Sequence, residues 1–234
     1  MKKILTLILL SLFIQAGFAQ ETESEMKTLF TGKKMGNKTR LSGMFINPEL
    51  KGTIINSGDK DGYGFLVGGR LGLIFNDKFS IGLGGYGLAT EHITPYGLDT
   101  EANYDPASKI GFGYGGFVFD YILFGNKLVH FTIPVLVGGG GASLYKDIII
   151  NEEEFTWDDF KTYESSAFFV LEPGINLEVN ITKFMRFDLG ASYRLVQFTE
   201  MDYLSNDDLS NLAINASLKF GIFDKHKKEK KATK

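Results

Sequence analysis

Apolar residues alternate with small or polar ones in eight separate stretches of the chain, as they do in β-strands that have one apolar face. Within 184–199, for example, Phe187 and Leu189 share one face, while Asp188 lies on the other. The eight predicted strands cover about 38–47, 62–75, 79–91, 108–124, 128–145, 165–180, 184–199 and 211–223. This pattern predicts an all-β protein.

The fourth stretch departs from simple alternation. Ile110 and Phe112 share one parity, whereas Phe119 and Tyr121 share the other. A β-bulge adds one residue to a strand and thereby reverses the face of every residue after it. We therefore predict a bulge near 115–116.

The connections between the predicted strands alternate in length. Strands two, four and six are followed by short turns at 76–78, 125–127 and 182–183. Strands one, three, five and seven are followed by long polar segments, the first of which begins at Pro48. This alternation of short and long connections is typical of an eight-stranded antiparallel up-and-down transmembrane β-barrel with short periplasmic turns and long extracellular loops. A soluble β-protein would show the same alternation with its apolar face inward, but its strands are usually shorter.

The N-terminal segment has the form of a secretory signal peptide. Two lysines precede an apolar run over 4–14, and small residues at Gly17 and Ala19 provide a cleavage site. The run is too short to span a bilayer as a helix, which takes about 20 residues. The predicted organisation is a signal peptide over 1–19, a polar periplasmic leader over 20–37, the barrel over 38–223 and a basic periplasmic tail over 224–234.

An export signal ahead of eight alternating strands resembles the small outer-membrane β-barrel family. This is the OmpA/OmpX-like group, which includes the Bacteroidota outer membrane protein beta-barrel domain. The resemblance covers about 38–223 and also rests on the signal ending Phe18, Ala19 and Gln20. It implies a protein of the cell outer membrane that contacts the lipid bilayer and lipopolysaccharide, and a monomer is favoured while the oligomeric state stays open. Members often end on an aromatic residue, whereas Phe223 here precedes the basic tail.

The polar faces of the predicted strands carry charges of both signs, which would point into the lumen. Buried charges are costly unless they are paired, so we expect them to form one connected network that closes the barrel. The predicted network consists of Arg70, Glu172, Glu178, Arg186, Asp188, Arg194 and Lys219. The alternative is a small-solute pore lined by the same charges.

Glycines occupy many inward positions of strands two and three. They could leave a hollow bordered by Tyr86 that takes a small apolar ligand, as in a lipocalin, or they could simply allow bending and close strand packing. The residues concerned are Gly64, Gly68, Gly72, Gly82 and Gly84.

The long loops are acidic and form a candidate surface for a ligand or protein partner. Clustered carboxylates also bind Ca²⁺ or Mg²⁺ through hard oxygen ligands, although the spacing here does not match an EF-hand. The candidate cation loop contains Glu152, Glu153, Glu154, Asp158 and Asp159.

Composition excludes several other functions. The 234 residues include no Cys, which rules out disulfides and thiolate chemistry, and the net charge of −3 argues against nucleic acid as a partner. His130 and Thr132 share a strand face, but we find no third member of a catalytic set. We expect no catalytic residues and no cofactor. A lipid-modifying outer-membrane enzyme is the distant alternative.

Overall fold

The structure, a computed structural model, describes residues 39–57, 60–94, 108–125, 127–145, 162–201 and 204–223. Eight long strands account for most of them: β1 (Leu41–Ser57), β2 (Lys60–Phe75), β3 (Phe79–Leu88), β4 (Ser108–Leu123), β5 (Val129–Tyr145), β6 (Thr162–Asn180), β7 (Met185–Tyr193) and β8 (Leu212–Ile222). Two short strands, Ile93–Thr94 and Leu195–Gln197, and a one-turn helix α1 (Asn206–Leu209) lie in the connections. Within these ranges, no helix has both the length and the apolar character needed to cross a membrane. The predicted signal peptide, leader and basic tail lie outside the described residues.

Every long strand pairs antiparallel with the next one along the chain, and the last pairs with the first. At this seam Met44 lies opposite Ile222 and Thr53 lies opposite Ala213. The sheet therefore closes into a ring of eight strands without a free edge. The predicted all-β, up-and-down barrel is confirmed.

The two faces of this ring differ in chemistry. Large apolar side chains project outward along the strands and are exposed, among them Phe65 (57%), Leu83 (50%) and Phe117 (59%). Charged side chains such as Arg70 and Glu178 point into the ring and are buried. This is the reverse of a water-soluble sheet. The predicted faces of strands two, three and five to eight are confirmed.

The first predicted strand is too short. Pro48 was expected to end it, but β1 continues to Ser57 and forms a tight hairpin with β2 instead of leading into a long loop. Pro48 pairs with Gly69 of β2, while pairing with β8 is interrupted at Asn47 and Pro48. Proline removes only one backbone donor, so β1 gives up one local contact with β8 and keeps its extended course.

The predicted bulge near 115–116 is wrong. β4 pairs with β5 in unbroken register from Lys109 opposite Tyr145 to Leu123 opposite Phe131. Ile110 and Phe112 point into the barrel, on the same side as the charged residues of other strands. The phase change in the sequence therefore marks a change in what fills the lumen, with the backbone unaltered.

The barrel has two distinct ends. Short turns at 76–78, 124–128 and 181–184 lie at one end, together with the start of β1 and the end of β8, and we call this the turn end. Asn76 and Asp77 in the first turn have φ of 53° and 58°, which is the geometry of a two-residue hairpin turn. The β1–β2 hairpin, the longer connections and α1 lie at the other end, the loop end.

Candidate functional site in the barrel lumen

The lumen is filled in layers. Toward the loop end it holds an apolar cluster in which the rings of Phe112 and Phe168 stack with centroids 5.4 Å apart. Helix α1 closes this end, because Leu209 at its last position is fully buried in the cluster and Leu204 just before it is nearly so. Charged residues occupy the middle. This division was not predicted, since alternation was used to identify polar inward faces and does not mark an inward face that is itself apolar.

Arg70 is the centre of the charged layer. Its Nε lies 2.9 Å from Oε2 of Glu49, and its Nη1 lies 3.4 Å from Oδ1 of Asp120. Its Nη2 lies 3.8 Å from Oδ2 of Asp188. The hydroxyl of Ser80 donates to Asp120 as well. A planar guanidinium with several donors is suited to holding several carboxylates at fixed angles.

Toward the turn end, four polar side chains contact Glu178. Lys219 and Thr132 donate to its Oε1, the latter over 2.6 Å, while Nη1 of Arg186 and Nε2 of His130 lie 3.2 and 3.1 Å from its Oε2. Lys219 also lies 3.2 Å from Oδ2 of Asp188, which joins this group to Arg70. The guanidinium of Arg186 stacks on the ring of Phe223, 3.8 Å from its centroid.

Toward the loop end, the network continues through Lys51. Its Nζ lies 2.6 Å from Oε1 of Glu172 and 3.5 Å from the ring centroid of Tyr86. Glu172 also accepts hydrogen bonds from Tyr114, over 2.6 Å, and from Ser192. A cavity of about 20 Å³ beside these residues has room for one water molecule.

Six of the seven predicted lumen residues belong to this network, and the exception is Arg194. It is fully buried, and its Nε donates to the carbonyl of Leu209 over 2.8 Å. Its guanidinium lies 4.8 Å from the ring centroid of Phe112. Arg194 therefore connects α1 to the apolar cluster and does not join the carboxylates.

Sequence reasoning missed four members of the network. Glu49 and Lys51 follow Pro48 and fell in a predicted loop, and Asp120 follows the predicted bulge. His130 was considered only for catalysis. Inward parity, extended through Pro48 and through 115–116, would have identified Glu49, Lys51 and Asp120.

The glycines of β2 and β3 do not leave a hollow. A Cβ at Gly68 would lie 2.6 Å from the ring of Tyr86, and one at Gly72 would lie 2.9 Å from the ring of Phe45. Large neighbouring side chains therefore occupy the space next to the glycines. The predicted cation loop, Glu152, Glu153, Glu154, Asp158 and Asp159, lies outside the described residues, and among those described no cluster of His, Asp and Glu is arranged to hold a metal ion.

The two histidines with a neighbouring threonine have different surroundings. Thr132 donates to Glu178, so its hydroxyl proton points to the carboxylate and not to His130. In the connection after β3, Nε2 of His92 lies 3.0 Å from Oγ1 of Thr90, which accepts from the amide of Phe65. Burial lowers the pKa of the His92 imidazole below its usual value.

No protein-family model matches the chain, and neither does any curated protein. Neisserial surface protein A is similar over 77% of this chain and 96% of its own, with a TM-score of 0.48 and 13% identity. The attachment invasion locus protein Ail of Yersinia pestis, solved with the heparin analogue sucrose octasulfate, is similar over 78% of this chain and all of its own, with a TM-score of 0.43 and 12% identity. The outer membrane protease OmpT of Escherichia coli is similar over 80% of this chain and 99% of its own, with a TM-score of 0.36 and 8% identity. These are small outer-membrane β-barrel proteins, the class that the sequence resembles, while the narrower Bacteroidota domain family stays a prediction.

Proposed function

We propose that this chain is an integral outer-membrane β-barrel of structural or surface-interaction type, with a lumen closed by its own side chains. The observation that carries the proposal is the filling of the lumen. Charges pair across its middle, and stacked aromatic rings and α1 fill its loop end. An interior of eight strands is just wide enough to be filled by side chains in this way.

The outer face supports placement in a membrane. Apolar side chains such as Ile46 (61% exposed), Phe65 and Ile214 surround the ring, and a soluble monomer rarely exposes so large an apolar surface. In a bilayer these side chains meet hydrocarbon, and the closed ring leaves no strand edge unpaired in lipid. The export signal in the sequence is consistent with the outer membrane as the destination.

A closed lumen leaves the loop end as the surface available for binding a surface ligand or protein. Its exposed charges in the described residues are mainly acidic and include Glu91, Glu200 and Asp207. Because side chains fill the middle and the loop end of the interior, we place recognition of any surface ligand or protein on these loops. We propose no catalytic function, since His130 and Thr132 lie inside the filled lumen and both contact Glu178.

The closed lumen predicts that the protein does not conduct. Mature protein refolded into planar bilayers should give no current steps above the baseline, because paired side chains fill the middle of the lumen and an apolar cluster fills its loop end. A gel of the same sample, boiled and unboiled, serves as the control that a folded barrel is present. Reproducible open-channel steps from a heat-shifting sample would contradict the closed lumen and favour the small-solute pore.

A further inference from the structure

Exposed charges divide between the two ends of the barrel. In the described part of the chain, the turn end exposes four cations and a single carboxylate, Asp77, which lies 3.5 Å from Arg40. The four cations are Arg40, Lys78, Lys127 and Lys183. The loop end exposes carboxylates instead, and its Lys109 is 2.9 Å from Glu91.

Each short turn combines a lysine with an exposed phenylalanine. Lys78 precedes Phe79, Lys183 precedes Phe184, and Nζ of Lys127 lies 4.9 Å from the ring centroid of Phe124. The rings are exposed by 54%, 61% and 63% respectively. No described carboxylate lies within ion-pair distance of the three lysines. Within the described part of the chain no carboxylate compensates these charges, so they can attract an external anion.

Lysine beside an exposed aromatic ring is the chemistry of a bilayer interface. Aromatic rings collect at the headgroup level, and a lysine stem extends along apolar surface while its ammonium group reaches the polar layer. The phosphate of an anionic lipid lies at that same level. Juxtamembrane cations attract such lipids by about 1 kcal/mol each.

The placement of the cations favours lipid over a soluble polyanion. The lysines lie one per turn, on the β2–β3, β4–β5 and β6–β7 connections, so they are spread around the rim. A single soluble ligand would need cations that converge on one pocket. A headgroup layer surrounds the barrel and meets every turn at once.

We propose that the turn end binds the headgroup phosphates of anionic phospholipids, with Lys78, Lys127 and Lys183 as the phosphate-binding residues and the neighbouring phenylalanines fixing their depth. This inference rests on the proposed function, because it needs the barrel in a bilayer. It adds a preference for one lipid class at one of the two ends.

Spin-labelled lipids test the preference directly. The full mature protein is reconstituted in phosphatidylcholine vesicles with trace spin-labelled phosphatidylglycerol or spin-labelled phosphatidylcholine, and the motionally restricted fraction is measured by electron paramagnetic resonance. Each lysine should raise the affinity for a neighbouring anionic lipid roughly fivefold, but only for the lipids that touch the turns. Averaged over all lipids around the barrel, we therefore expect phosphatidylglycerol to be favoured about twofold over phosphatidylcholine. High salt should reduce the preference.

Three matched variants locate the effect. In K78Q/K127Q/K183Q the ratio should fall to about one, and K78R/K127R/K183R should restore it. In K225Q/K227Q/K228Q, which removes the same charge from the tail, the ratio should be unchanged. A preference that is absent in the wild type, that survives the turn substitutions, or that disappears with the tail substitutions would overturn the proposal. A restricted signal for neither lipid would instead contradict bilayer insertion itself. Binding of a soluble acidic polymer without any lipid preference would identify a different ligand and also overturn it.

Discussion

Replacing Arg70 by methionine is expected to destabilise the barrel by about 3–5 kcal/mol. Among the described residues, the substitution leaves Asp120 with the hydroxyl of Ser80 as its hydrogen-bond donor, and Glu49 and Asp188 each lose a cation. Methionine fills much of the same volume, so the effect reports lost charge compensation more than a cavity. The measurement is urea-dependent loss of the heat-shifting form in lipid vesicles.

Arg194 provides a matched control, since it is equally buried but lies near no described carboxylate. Arg194→Met loses one hydrogen bond to a carbonyl and a ring contact, so we expect a cost of about 1–2 kcal/mol. If Arg70→Met does not fold at all, Arg70→Met/Asp120→Asn should recover part of the folded fraction by removing one unpaired charge. Equal costs at the two arginines, or no recovery in the double variant, would contradict a lumen held by ion pairs.

Alanine at Gly138 is expected to cost about 3 kcal/mol, the upper end of the usual range for overpacking. The added Cβ would lie 2.0 Å from the carbonyl oxygen of Gly115 and 2.6 Å from Cα of Gly116. Both obstacles are backbone atoms of the paired strand β4, which cannot move without disturbing the register. The midpoint of the heat-dependent gel shift measures the effect.

The control lies on the same strand. At Gly141 the nearest atom to an added Cβ is the carbonyl oxygen of Ser166 at 3.8 Å, which is ordinary contact. Gly141→Ala should be neutral or stabilise by up to about 1 kcal/mol, because alanine restricts the unfolded chain more than glycine does. A similar shift in both variants would mean that strand flexibility, and not steric closure at Gly138, is what the glycines provide.

Alternation was sufficient to predict the strands and most of their faces. On β6, Glu172 and Glu178 share one parity while Ile175 and Leu177 share the other, and the structure places the first pair inside and the second outside. The face of each residue is easy to predict here because the inner side chains are polar and the outer ones apolar. Wherever that contrast holds, one sequence is enough to assign the faces of a strand.

The predictions failed where that contrast is lost. In the loop-end half of β4 the inner residues Ile110 and Phe112 are themselves apolar, so inside and outside look alike and a bulge was inferred. Pro48 gave a false strand end, because a missing backbone donor is tolerated where pairing with β8 is interrupted. The loss of Glu49 and Lys51 from the predicted site followed from that error. Ion-pair partners across a barrel depend on strand register and tilt, which one sequence does not encode locally.

Closure of the ring carries a consequence for how faithfully the barrel assembles. Lys51 on β1 reaches Glu172, 121 residues later on β6, and Lys219 on β8 binds Glu178 and Asp188. A slip of β8 by one residue would turn Lys219 into lipid and leave two carboxylates inside without their cation. Misregistered seams are thus penalised by about 3–5 kcal/mol for each broken buried pair. The side chains that fill the lumen therefore also favour the correct register between β1 and β8.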